Sequence, residues 1–178
     1  YQLKGLGSTH TVVAVDLPGH GQSGAPESLS VEDYRDAVLA VADTLSLTSI
    51  VLVGHSMGGG VLFEVYRAAP HLIKGLVFIS TAPELPVNDM ILDFIDKDFN
   101  SFCTMVVDLT YSPDVDDVLK KLAVEEVRKT GAKTVKSDFA ICKKFQYKEL
   151  AGTLEVPVLL LTNRKDKMVP ADLVENFG

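Results

Sequence analysis

The chain has 178 residues, of which 47% are hydrophobic and 23% charged, and its formal net charge is -7. This composition is typical of a globular domain rather than a disordered chain, and no apolar run approaches the roughly 18 residues that a membrane span requires. The acidic balance disfavours nucleic acid and membrane surfaces as partners. Cys103 and Cys142 lie far apart without metal-ligand spacing, so we expect two buried thiols and a cytoplasmic location.

The first predicted elements are a strand, a loop and a helix. Residues 11–16 form a β-branched apolar run, and the Pro and Gly residues of 17–24 predict a loop directly after it. Ser30 and Asp33 have the spacing of a helix-capping pair. Apolar residues then recur at three- and four-residue intervals across 31–45, which predicts an amphipathic helix of about four turns.

Three further apolar runs predict buried strands, at 49–53, 75–80 and 156–162. Between the first two, a glycine-rich turn at 54–60 leads into a helix that should end near Pro70. Strands that alternate with helices in this way favour a parallel sheet with right-handed crossovers. The sequence therefore predicts an α/β fold with a doubly wound, mostly parallel sheet.

The long segment between the last two strands shows helical periodicity and no strand pattern. It is too long for a simple loop, so it predicts an inserted helical element, which we call the cap. Its helices are expected near 87–109, 113–130, 133–145 and 147–154. This divides the chain into an incomplete α/β core, residues 1–82 and 155–178, and a cap insertion, residues 83–154.

The residues with the clearest chemical signal are Gly54-His55-Ser56-Met57-Gly58, which read G-x-S-x-G between a buried strand and a helix. A nucleophile elbow has this context, because its serine occupies a strained turn with positive φ and needs small neighbours two positions away. The turn would raise the Ser56 hydroxyl above the sheet. The N–H of Met57 would then point to where an oxyanion forms. The alternative is a glycine-rich turn with an incidental serine.

Three segments together resemble the α/β-hydrolase superfamily: VVAVDLPGHGQSG, VLVGHSMGG and VPVLLLTNRKDKMVP. The resemblance spans nearly the whole chain and implies that Ser56 is the nucleophile and that Asp166, after a later strand, is the catalytic acid. Asn163 stands where the family usually has glycine. Because asparagine is the residue most able to replace glycine at positive φ, the resemblance predicts that conformation for Asn163 and leaves the assignment of Asp166 intact. Glu84 is the less favoured alternative acid.

A serine nucleophile also needs a histidine base, which in this family follows the acid along the chain. No histidine follows Asp166 in these residues. The sequence contains four histidines, and we expect each to pack or to face solvent: His10, His20, His55 and His71. A family His-Gly loop that donates a second oxyanion N–H is likewise missing before Tyr1. The expectation is a fragment of a longer enzyme, inactive by itself.

These observations leave three functional hypotheses. The leading one is hydrolysis of a carboxylic ester or similar small acyl compound, with no metal and no organic cofactor. The second is a lyase or lyase-like synthase on the same scaffold, and the third is a non-catalytic binding protein that kept the fold. Oligomeric state is left open. Apolar cap residues could wall an acyl pocket or simply form core: Phe94, Phe99, Phe102, Met105, Phe139 and Phe145.

Overall fold

A computed structural model describes residues 2–174 and residue 177 of the chain. Its sheet contains the parallel strands β1 (Ile50–His55), β2 (Ile73–Ile79) and β3 (Val158–Leu161), in the order β1-β2-β3. The strands consist mostly of apolar residues, as is usual in parallel sheets. The α/β fold with a parallel sheet, predicted from the alternation of strands and helices, is confirmed.

Helices pack against this sheet through a shared apolar core. In the first half of the chain they are α1 (Gln2–Leu6), α2 (Val31–Thr44) and α3 (Met57–Ala68), and a 3-10 turn follows at Pro70–Leu72. Phe63 of α3 and Phe78 of β2 are at most 1% exposed, and their rings lie 4.9 Å apart. Gly59 and Gly60 let α3 pack closely, since a Cβ there would collide with Thr81 and Phe145 respectively.

The predicted cap region is helical, and its helices are followed after β3 by one more short helix. They are α4 (Asp89–Lys97), α5 (Phe99–Thr110), α6 (Asp117–Thr130), α7 (Ala132–Cys142), α8 (Lys148–Ala151) and, last, α9 (Ala171–Val174). The single helix expected at 87–109 is two helices, because the Asp98 side chain accepts the N–H of Ser101 and starts α5. None of the helices in the described residues is both long and apolar enough to cross a membrane.

The cap region has its own small core and is joined to the larger one. Ile95, Phe102 and Val135 form a second buried cluster among α4, α5 and α7. Tyr147 belongs to the main core instead, where its hydroxyl donates a 2.8 Å hydrogen bond to the buried carboxylate of Glu64 on α3. The helices of the cap region are therefore packed on the α/β layer, while the division into two domains remains a prediction.

The prediction of a strand at 11–16 is wrong, because the structure has no strand there. These residues form no ladder, and Val13 is 41% exposed. A strand needs a neighbour to accept its backbone hydrogen bonds, and no described strand lies beside this segment. On β1, likewise, Val51 and Val53 are 57% and 58% exposed. The apolar run at 49–53 therefore predicted the strand correctly, whereas the expected burial of that strand on both faces is wrong. At 11–16 the pattern predicted a strand that has no pairing partner among the described residues.

Candidate active site

The turn between β1 and α3 holds Ser56 in an unusual backbone conformation. Its φ is 50° and its ψ is -119°, a region that L-residues rarely occupy. The Ser56 N–H donates to the carbonyl of Ile79 on β2 at 3.0 Å, and its own carbonyl accepts the N–H of Gly59 at 2.9 Å. Backbone hydrogen bonds on both sides thus hold the strained turn, and the positive φ predicted for Ser56 is confirmed.

Steric crowding requires glycine at position 54 of the motif but not at position 58. A Cβ on Gly54 would lie 2.5 Å from the carbonyl oxygen of Gly58, closer than real Cβ contacts allow. A Cβ on Gly58 would meet none of the described atoms within 4 Å. The prediction that both positions must be small therefore holds for Gly54 and is wrong for Gly58, because the crowding comes from the Gly58 backbone.

The Ser56 hydroxyl is not used to cap its helix. Ser56 is the residue before α3, yet its side chain makes no capping hydrogen bond. At four other helix starts the side chain accepts a backbone N–H, as this position usually requires: Ser30, Asn88, Asp98 and Asp116. The hydroxyl of Ser56 is consequently available for another partner.

A cavity of about 810 Å³ opens beside Ser56. It is bordered from the α/β side by His55, Ser56, Met57, Ser80 and Asp166, and from the cap region by Val106, Tyr111, Asp138, Phe139 and Cys142. Both proposed catalytic residues, Ser56 and Asp166, therefore border one space. That space lies between the ends of the strands and the helices of the cap region, where open α/β sheets bind ligands.

Asp166 is fixed by its own loop after β3. Its Oδ1 accepts the N–H groups of Met168 and Val169, each at 2.9 Å. Its Oδ2 accepts no hydrogen bond from the described residues, so one oxygen positions the carboxylate and the other stays open. Asn163 is not among the residues with positive φ, which corrects the prediction for it. Its Oδ1 instead accepts the N–H of Lys165 at 2.9 Å and forms the turn that way.

Glu84, the alternative acid, is placed elsewhere. It does not border the cavity, its side chain is 46% exposed, and it pairs with Lys148 at 2.8 Å. An exposed ion pair of this kind needs no catalytic explanation. The geometry favours Asp166 over Glu84.

No described histidine is arranged as the base for Ser56. Both ring nitrogens of His20 are engaged, Nε2 with Asp138 at 3.0 Å and Nδ1 with the carbonyl of Pro18 at 3.2 Å. His10 is exposed and bonded to Thr9, and His71 is exposed. His55 borders the cavity but hydrogen-bonds to no carboxylate of the described residues, so nothing orients its ring as a triad requires.

Met57 is the first residue of α3 and borders the cavity next to Ser56. An N–H in the first turn of a helix has no acceptor within that helix, and the helix dipole favours negative charge there. The backbone of Met57 can therefore donate to an oxyanion. As for metals, no cluster of three or more His, Cys, Asp or Glu side chains in the described residues could hold an ion.

Sequence reasoning missed two features of the cavity. Ser80, directly after β2, borders the cavity with φ at 45°, a conformation that no motif indicated. Asp138 contacts residues more than 100 positions away, so no local pattern could reveal it. Of the six apolar residues considered for an acyl pocket, only Phe139 borders this cavity. Most of the others pack in the cores.

Both cysteines are free and buried, as predicted. Cys142 also forms part of the cavity wall. Burial raises the pKa of its thiol to about 12, with a smaller contribution from the nearby charge of Asp138. A thiol of this kind remains protonated at neutral pH and acts as an apolar wall rather than as a nucleophile.

The chain is similar in sequence to an esterase and to an acetyltransferase component. It is 24% identical to the pimeloyl-[acyl-carrier protein] methyl ester esterase of Neisseria meningitidis serogroup A over 184 residues, which cover 96% of this chain and 58% of that protein. It is 38% identical over 78 residues, 43% of this chain, to a dihydrolipoyllysine-residue acetyltransferase component of the acetoin cleaving system of Pseudomonas putida, covering 21% of it. The chain thus spans less than two thirds of both relatives.

The fold is also found in solved structures. A hydrolase from Oleispira antarctica superposes with a TM-score of 0.89 at 17% identity, over 99% of this chain and 71% of that one. The family described as the alpha/beta hydrolase fold matches residues 2–106, more than half of the chain. This protein therefore belongs to the α/β-hydrolase fold family.

Proposed function

We propose that the whole protein hydrolyses carboxylic esters or similar small acyl compounds, with Ser56 as nucleophile. The observation that carries this proposal is the strained Ser56, whose hydroxyl caps nothing and borders a cavity shared with Asp166. Strained backbone at a cavity is a recognised sign of function. The ester hydrolase named among the relatives supports the reaction class.

In this mechanism the Ser56 Oγ attacks the acyl carbon while a base takes its proton. The N–H of Met57 stabilises the oxyanion that develops on the carbonyl oxygen. The base then gives its proton to the departing alcohol, and water repeats the sequence to release the acid. The open oxygen of Asp166 would hold the base in the correct tautomer.

The base itself is proposed to be a histidine outside these 178 residues. The described histidines lack the required arrangement, and the chain covers 58% of its esterase relative and 71% of the Oleispira hydrolase. We further propose that residues 83–154 form a cap over Ser56, since Val106, Tyr111 and Phe139 close the cavity from that side. The two reduced cysteines fit the predicted cytoplasmic location.

The test is ester hydrolysis by the whole protein and by residues 1–178, each beside its Ser56→Ala variant. We expect the whole protein to hydrolyse a short-chain nitrophenyl ester and Ser56→Ala to lower turnover by at least about 10⁴-fold. Residues 1–178 should show no turnover above the Ser56→Ala control. Hydrolysis by residues 1–178 that Ser56→Ala abolishes would show that a histidine among them is the base. No hydrolysis by the whole protein would contradict the proposed reaction.

A further inference from the structure

Three side chains from separate parts of the chain meet beside the cavity. Asp138 of α7 accepts from the hydroxyl of Tyr34 on α2 at 2.5 Å through Oδ1, and its Oδ2 lies 3.0 Å from Nε2 of His20. The His20 and Tyr34 rings pack edge to face, with centroids 6.0 Å apart. We call these three residues the α7 latch. Both oxygens of the carboxylate are thereby satisfied from outside its own helix.

The latch is buried enough for its hydrogen bonds to contribute to the stability of the α7 position. Tyr34 is fully buried, and the side chains of His20 and Asp138 are 27% and 16% exposed. The hydrogen bond to Asp138 raises the pKa of His20, although burial opposes the shift. Removing one partner of a buried charged group leaves the other uncompensated, which is costly. The latch therefore holds α7 more firmly than an exposed ion pair could.

A second contact joins the same loop and helix one turn away. Gly19, next to His20, has φ at 83°, and a Cβ there would lie 3.0 Å from Cγ2 of the buried Thr134. Thr134 and Asp138 are four residues apart and so lie on one face of α7. The loop is therefore fitted against two successive turns of that helix.

The same helix supplies one wall of the cavity beside Ser56. Asp138, Phe139 and Cys142 all border it, and Cys142 is the last residue of α7. A small shift or rotation of α7 would move the ring of Phe139 and the thiol of Cys142 relative to Ser56. The position of α7 thus determines the shape of the space available to a ligand.

We propose that the α7 latch positions this wall and thereby determines which acyl groups the site accepts. His20, Tyr34 and Asp138 are positioning residues here, because they act through α7 rather than on the reacting atoms. The inference about acyl groups rests on the proposed ester hydrolysis. The inference that the latch holds α7 stands on the geometry alone.

The test compares Asp138→Asn and Tyr34→Phe with Lys136→Met in the whole protein. Lys136 is a matched control because it lies on the same helix and pairs with Asp96 at the surface, away from the cavity. Two quantities are measured: hydrogen exchange of the peptide covering 132–142, and the ratio of kcat/KM for a nitrophenyl acetate to that for a nitrophenyl octanoate.

We expect Asp138→Asn to speed exchange of the 132–142 peptide by about tenfold and to change the acyl ratio by about fivefold or more. Tyr34→Phe should change the exchange rate and the acyl ratio in the same direction as Asp138→Asn, but by less. If Asp138→Asn does not fold, Tyr34→Phe alone provides the test. Lys136→Met should leave both within about twofold.

Unchanged exchange in folded Asp138→Asn and Tyr34→Phe would overturn the latch. Faster exchange with an unchanged acyl ratio would overturn its role in selecting acyl groups. If the unmodified whole protein hydrolyses neither ester, the proposed function fails, and the exchange measurement still decides whether the latch holds α7.

Discussion

Ser30 and Ser56 occupy the same formal position, directly before a helix, and the chain uses them in opposite ways. Ser30 has φ at -130°, its Oγ accepts the N–H of Asp33 at 3.2 Å, and it donates to the Asp33 carboxylate at 2.7 Å. Ser56 has φ at 50° and makes none of these bonds. At Ser30 the hydroxyl is fully used by the helix start, whereas at Ser56 it borders a cavity.

The difference shows how the backbone decides what a serine can do. An extended residue before a helix directs its oxygen back to the first-turn N–H groups, which stabilises the helix. Positive φ costs a non-glycine residue free energy, and such strain persists only where surrounding bonds impose it. At Ser56 those bonds come from Ile79 and Gly59. Ser56 thus differs from Ser30 in two respects, its strained backbone and a hydroxyl that does not cap its helix.

The largest expected effect concerns the acid that would serve Ser56. In the whole protein we expect Asp166→Asn to lower kcat by about 10⁴-fold without unfolding it, because an amide cannot hold the histidine in the required tautomer. Steady-state hydrolysis of a nitrophenyl ester measures the loss, and circular dichroism checks the fold. The matched control is Glu84→Gln, which changes an exposed ion pair and should have little effect. If the two variants exchange these outcomes, the acid has been misassigned.

The next effect tests the crowding between Gly54 and Gly58 on either side of Ser56. We expect Gly54→Ala to destabilise the protein by about 2 kcal/mol, because the new Cβ would collide with the Gly58 carbonyl. Gly58→Ala should be neutral or slightly stabilising, since the space there is open and alanine favours a helix. Urea unfolding of the two variants provides the comparison. Equal destabilisation by both would show that the elbow is not crowded in the way the structure indicates.

The smallest effect is expected at Ser30. Replacement by alanine removes the cap of α2 and should cost about 1 kcal/mol of stability, while ester turnover stays within about twofold. Thermal unfolding and the same ester assay measure the two quantities. A large loss of turnover in a folded Ser30→Ala protein would contradict the view that Ser30 only stabilises α2 and takes no part in catalysis.

Local sequence patterns predicted the parts of the fold that depend on local physics. The capping pair of Ser30 and Asp33, the presence of the three strands β1 to β3 and the sharp turn at Ser56 all follow from residues within a few positions of one another. The predicted burial of β1 and β3 does not hold, because most of their residues are exposed or half-buried. The family resemblance supplied Asp166 as the candidate acid, and the structure places it on the cavity of Ser56. Its catalytic role remains a prediction.

Features that depend on distant partners could not be predicted in this way. Residues 11–16 have a strand pattern but no neighbouring strand among the described residues. Asn163 was expected at positive φ, whereas its side chain stabilises the turn without it. The contacts of Asp138 with His20 and Tyr34 join positions 118 and 104 residues apart. Such contacts depend on the packing of α7, which no short segment encodes.

The central claim is tested most directly by mapping the serine that reacts with a fluorophosphonate probe in the whole protein. Trypsin separates the two serines compared above, since Ser30 falls in peptide 5–35 and Ser56 in peptide 36–67. We predict that fragment-ion mass spectrometry places the probe on Ser56 alone, and that Ser56→Ala abolishes labelling while Ser30→Ala does not. Labelling that survives Ser56→Ala undiminished, or a probe found on another serine, would contradict the assignment of Ser56 as the nucleophile.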